Sequence, residues 1–183
     1  MQERLEKILA IFERESLWVA LRAICDHPHQ ELRVEAPFVD VGTAQSLDAS
    51  MLGLSALEPG SLSHTDRMRH FTYNGQKWRF LKVFDRRITR FDQTPANIFV
   101  SYFVKYSIKM LRGIAYSLSD SDEDSVYFED FMRIIRRLNG IWDALPSSFK
   151  YAVLYTVPID NQLLQFDPGY HVILESWLAC ESL

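Results

Sequence analysis

Apolar residues recur at three- and four-residue steps near the start of the chain: Leu5, Ile8, Leu9 and Phe12, then Leu17, Ala20, Leu21 and Ile24. That period lays one apolar stripe along a helix, so it predicts a single amphipathic helix to about Asp26, ended by Pro28. Over residues 31–41 the period drops to two, through Leu32 and Val34, with Phe38 and Val41 after Pro37. This predicts an extended segment at a sheet edge, because proline cannot donate to a ladder. Residues 43–57 predict one or two short helices with Asp48 as a cap, and residues 58–65 a loop. Residues 71–73 and 77–84 flank Asn74-Gly75, the pair that supplies the positive φ angles of a type I′ turn, and so predict a hairpin.

The second half is helical in pattern. Thr94 is the predicted cap and Pro95 the first-turn residue of a helix running to about Ser119. It is apolar almost all round, apart from a narrow stripe of Ser101, Lys105, Lys109 and Arg112. A second helix, over residues 126–145, turns Phe128, Phe131, Ile135, Leu138 and Trp142 to one side. Glu129, Arg133, Arg136 and Arg137 lie toward the other side. The acidic turn between them is short, so residues 95–145 predict an antiparallel helical hairpin closed by Pro146. Residues 151–157 are apolar and β-branched, and fix no state. Asp167 and Pro168 open a last amphipathic helix through Tyr170, Ile173, Leu174, Trp177 and Leu178. The expected class is α+β, mainly helical, with a small antiparallel sheet body. The expected organisation is one structural unit of three parts: a body over 1–94, the hairpin over 95–145 and a closing segment over 146–183.

Composition narrows the class without naming an activity. The 183 residues are 48% apolar and 24% charged, with seven Gly and seven Pro, which excludes disorder and collagen-like sequence. No apolar run nears the roughly 18 residues of a membrane span, and the charged start of the chain is unlike a secretory signal. Two distant cysteines, Cys25 and Cys180, fit a reducing compartment, so the expected location is the cytoplasm, away from membranes.

The net charge of −4 conceals a segregation. Residues 66–112 hold eleven Lys/Arg against three acids, or +8, leaving −12 for the remainder. Such a window suits a polyanion, so DNA or RNA binding centred on Arg86, Arg87 and Arg90 is one functional expectation. The same asymmetry arises when solvated basic strands balance an acidic helix.

Catalytic signatures are missing. The chain has no GxxxxGK[ST] loop, no GxGxxG and no GxSxG elbow. No lysine follows an acid by two places, as a PD-(D/E)XK nuclease requires. Cys25, His27 and His29 lie within five residues, but a structural zinc site needs four ligands and no second cluster offers them. His64 and His70 lack a neighbouring nucleophile in sequence, and residues 120–124 lack EF-hand spacing. Trp78, Tyr102, Phe103 and Tyr106 could stack on bases, but their spacing fits core positions better. No catalytic residue, metal or cofactor is therefore expected.

Three stretches, in order, are similar to one family. Ala23-Ile-Cys-Asp-His-Pro28-His29-Gln-Glu-Leu32 resembles a turn in the domain that precedes the PD-(D/E)XK nuclease of McrC-like restriction proteins. Asp92-Gln-Thr94-Pro95-Ala96-Asn97-Ile98-Phe99-Val100 resembles that domain's D-T-P-E-N-R-F-V-K signature, with Ala96, Ile98 and Ser101 where the family has Glu, Arg and Lys. Leu164-Gln-Phe-Asp-Pro168-Gly169-Tyr170-His-Val-Ile-Leu-Glu-Ser-Trp177 resembles its closing motif. The resemblance implies a non-catalytic adaptor with a sheet-containing body and a helical stalk that contacts a AAA+ GTPase or ATPase. It also implies a nuclease domain in cis or in trans. On that basis Lys105, Lys109, Arg112, Arg133, Arg136 and Arg137 on the hairpin are the expected partner-binding residues.

Overall fold

The opening apolar stripe belongs to two helices: α1 spans Gln2–Glu13 and α2 spans Glu15–Asp26. The chain breaks at Arg14, whose backbone is extended (φ −64°, ψ 113°). Trp18 causes much of this, because its indole N–H donates to the Phe12 carbonyl at 2.7 Å. A continuous helix would give that carbonyl to the backbone N–H of residue 16. The single predicted helix is therefore corrected to two, both burying their stripes.

The structure is a computed structural model and describes residues 2–65, 70–119 and 125–183. The acidic turn at 120–124, with the calcium question attached to it, and residues 66–69 of the basic window lie outside the described residues. The class is α+β, as the sequence predicts, with 57% of the described residues helical and 16% in strands. Contacts divide the chain into two units, residues 1–31 with 92–183 and residues 32–91. The opening helices thus group with the hairpin rather than with the strands that follow them, because their buried faces meet helical partners.

The all-helical unit holds α4 (Pro95–Leu118), α5 (Ser125–Ala144), α6 (Ser147–Lys150), α7 (Gln162–Phe166) and α8 (Pro168–Glu181) besides α1 and α2. Thr94 caps α4 by accepting from the Asn97 N–H at 3.3 Å, with Pro95 in the first turn. Asp167 caps α8 by accepting from Gly169 and Tyr170. A Cβ on Gly169 would stand 3.3 Å from that carboxylate, so glycine leaves the cap room. Helices α4 and α5 pack along their length as the expected hairpin, with α1 and α2 against α5 and with α2 and α4 against α8. Phe12, Trp18, Phe99, Phe103, Phe131, Phe149 and Leu164 are all buried at the centre. Residues 151–157 have no regular structure, but Leu154 and Val157 pack on this core.

The sheet unit holds β1 (Glu31–Glu35, its first residue just outside the unit), β2 (Phe38–Asp40), α3 (Ala49–Ala56), β3 (Leu62–His64), β4 (Phe71–Tyr73), β5 (Gln76–Phe80), β6 (Lys82–Phe84) and β7 (Arg87–Phe91). The strands form three small sheets: β1 with β7, β2 with β6, and β3-β5-β4. Asn74 (φ 51°) and Gly75 (φ 74°) make the predicted turn. The long second hairpin strand is split at Leu81, whose N–H donates to Ser61 at 2.7 Å, so that β5 and β6 join different sheets. Strands β3 and β7 carry no hydrophobic alternation long enough to be legible in sequence. Among described residues, Val83 is the one fully buried large apolar side chain in this unit.

Candidate functional site

Lys105, Lys109 and Arg112 follow one another at helical steps on α4, and all are exposed. Tyr116, 79% exposed, extends the row by another turn. Ser101 does not belong to this face. It is buried and donates to the carbonyls of Ile98 (2.9 Å) and Phe149 (3.3 Å). Arg112 donates to the Asn139 side chain at 3.4 Å, which places the row beside α5. Lys105 and Lys109 form no ion pair among the described residues.

The arginines of α5 are more committed to the fold. Arg133 pairs with Asp130 one turn back at 2.8 Å, and Arg136 donates to the Met132 carbonyl at 3.3 Å. Arg137 reaches Glu15 at 3.4 Å and lies 4.0 Å above the Trp18 ring, joining α5 to α2. A stacked and paired guanidinium has less to offer a partner than an unpaired one. Of the six expected bases, Lys105 and Lys109 are therefore the two without a side-chain partner among the described residues.

Of the three arginines expected to bind nucleic acid, Arg87 and Arg90 lie on opposite faces of a strand. Alternation along β7 puts Arg87, Thr89 and Phe91 on one side and Ile88 and Arg90 on the other. Arg87 pairs at 2.7 Å with Asp85, a fully buried carboxylate. Asp85 also accepts from the backbone N–H groups of Gln45 (3.0 Å) and Ser46 (2.7 Å), tying the segment before α3 to β7. The Gln45 bond holds its carboxyl below the usual range, with Arg87 and Ser46 adding to the effect against desolvation. Arg86 lies 3.7 Å from Asp48, and Arg90 is exposed.

A buried polar clasp in the helical unit escaped sequence reasoning. Asn97, fully buried on α4, donates through its amide to the carbonyls of His29 (2.8 Å) and Asp92 (2.6 Å). Its side-chain oxygen accepts from the Tyr170 hydroxyl, which itself accepts from the His29 N–H at 3.0 Å. Asp92 in turn accepts from the Ser148 hydroxyl at 2.6 Å. His29, Asn97 and Tyr170 come one from each of the three motif stretches. The available signal was an asparagine inside an otherwise apolar first turn.

No three His, Cys, Asp or Glu side chains converge on a metal-sized site among the described residues. Of the residues first weighed for zinc, His29 contributes its backbone to the clasp, and the Cys25 thiol lies 3.8 Å from the Ile141 carbonyl. Desolvation, then Asp26, pushes the Cys25 thiol up to about 11, against an opposing effect of Lys150. Burial, then Glu181, raises Cys180 to about 11 as well. No helix among the described residues is long and apolar enough to cross a membrane. No family model, no curated protein and no solved structure matches the chain.

Proposed function

We infer that the chain is a cytoplasmic, non-catalytic adaptor of a McrC-like restriction or phage-defence system. The α4–α5 hairpin engages a AAA+ GTPase or ATPase, and a PD-(D/E)XK nuclease acts in cis or in trans. Lys105 and Lys109 carry this reading: two exposed cations, one turn apart on a rigid helix, with no ion pair among the described residues. Fixed charges of this kind steer and register an acidic partner. The clasp lends further support, since the residues behind the resemblance meet at one point that sets the start of α4 against α8.

The purified chain mixed with the AAA+ protein encoded beside it should co-elute in size-exclusion chromatography and raise its nucleotide hydrolysis rate. Separate elution and an unchanged rate at micromolar concentrations of both proteins would sink the adaptor reading.

A further inference from the structure

Seven aromatic residues lie in the sheet unit, Phe38, Phe71, Tyr73, Trp78, Phe80, Phe84 and Phe91, and none is fully buried. The register of the three-stranded sheet sorts several onto one face. Trp78 on the central strand stands opposite both His64 and Phe71. Phe80 and Leu62 form the next pair on that side, and Tyr73 with Gln76 the pair beyond. Ser63, Arg79, Thr72 and Lys77 alternate to the other face. On the aromatic face the His64 and Trp78 ring centroids are 3.7 Å apart and those of Phe71 and Phe80 are 5.3 Å apart. His64 is exposed, Tyr73 is 64% exposed, and Trp78 is half-buried. The sequence expectation that Trp78 is a core residue is corrected here: it belongs to a row of rings that the fold leaves half-open.

We propose that this face, built on His64, Trp78 and Tyr73, binds single-stranded nucleic acid by stacking bases on its rings. Every base offers a π-face, and a sheet holding rings at its surface is a low-entropy platform for successive unpaired bases. Charge favours a polyanion over a neutral surface, and the flat rings favour unpaired bases over an acidic protein. Residues 32–91 hold nine Lys/Arg against six Asp/Glu, a net +3, whereas the rest of the chain holds eleven against eighteen, a net −7. The positive balance thus belongs to the unit that carries the rings, with Lys77 and Arg79 on the same sheet but its other face. A duplex, with its bases stacked inside, cannot use them. This inference is independent of the adaptor reading, and it assigns binding to the aromatic face rather than to Arg86, Arg87 and Arg90.

The test uses the whole chain and labelled oligo-dT and oligo-rU of about twelve nucleotides, a length within the usual site sizes. Fluorescence anisotropy should show binding at about 50 mM salt, weakening steeply toward about 200 mM, with the matched duplex bound less tightly. Tyr73→Ala and His64→Ala, both at exposed positions, should each weaken single-strand binding by about fivefold or more. Trp78→Ala should weaken it by about tenfold, with Trp78→Phe restoring most of the affinity. If Trp78→Ala fails to fold, the two exposed positions decide the matter. The proposal is overturned by an absence of binding at low salt. It is equally overturned if duplex binds as well as single strand while Tyr73→Ala and His64→Ala change nothing. Competition by poly-glutamate as effective as that by oligo-dT would also overturn it, since charge alone would then explain the binding.

Discussion

Asn97 shows how much one buried amide can hold. Truncating it to alanine would take the donor from two part-buried carbonyls and the acceptor from the buried Tyr170 hydroxyl, and each unsatisfied buried group is costly. Asn97→Ala should therefore lose about 3 kcal/mol in urea denaturation, and Tyr170→Phe about 1–2 kcal/mol. A loss below about 1 kcal/mol for Asn97→Ala would show that the clasp is dispensable. The two thiols supply a second measurement. Both are raised to about 11, so they stay protonated at neutral pH and should react with iodoacetamide far more slowly in the native chain than in urea. In the unfolded chain they ionise first, near the ordinary value of 9.0. Stability should consequently fall as pH rises from that value toward 11, and substituting both with serine should flatten the slope. Asp85 works in the opposite sense. Its lowered carboxyl stabilises the sheet unit above the usual carboxylate range of about 4, and that contribution disappears as acid protonates it.

At the scale of the element, α4 combines two tasks that its sequence separates by face. Its apolar sides are buried from Ala96 to Leu118, while Lys105 and Lys109 stay in solvent without an ion pair among the described residues. Exposed substitutions of this kind usually change stability by less than about 0.5 kcal/mol, whereas close interfacial charge pairs are worth about 1.5 kcal/mol or more. Lys105→Glu combined with Lys109→Glu should leave the Tm nearly unchanged and weaken association with the proposed AAA+ partner about tenfold or more. A normally folded double mutant that still binds and stimulates would exclude this face. Arg137→Glu should behave differently, losing stability because it abandons both Glu15 and the Trp18 ring. That contrast in melting temperature separates the bases used by the fold from those it leaves over.

Across the whole molecule, core and charge are unequally shared between the units. The helical unit holds nearly all the large buried apolar side chains, whereas the sheet unit holds Val83 and relies on polar ties such as Asp85 with Arg87 and the Ser55 hydroxyl accepting from Phe84 at 2.7 Å. Local stability follows buried apolar contact. In hydrogen exchange monitored by mass spectrometry, amides of β2 to β6 should exchange well before those of the middle turns of α4 and α5. Uniform protection across both units would contradict this assignment of the core.

Local chemistry made much of the fold legible in sequence. Apolar periodicity located α4, α5 and α8, the Thr94-Pro95 and Asp167-Pro168 pairs marked two helix starts, and Asn74-Gly75 located the hairpin turn. These features depend on residues a few positions apart. The Arg14 break, the division of the second hairpin strand at Leu81 and the short strands β3 and β7 were not legible. The Arg14 break turns on a side-chain hydrogen bond across it, from Trp18 to Phe12, which apolar periodicity does not register, and the others on pairing with distant strands. The surroundings of the six expected bases were only partly legible for the same reason: the steps along α4 put Lys105 and Lys109 on one face, but only packing revealed that Arg137 serves Trp18 and Glu15. The sequence by itself determined which segments would coil and which faces would seek burial. The tertiary structure alone decided which polar groups would be paired and which left open, because a hydrogen bond or ion pair between residues remote in sequence exists only once the chain has closed.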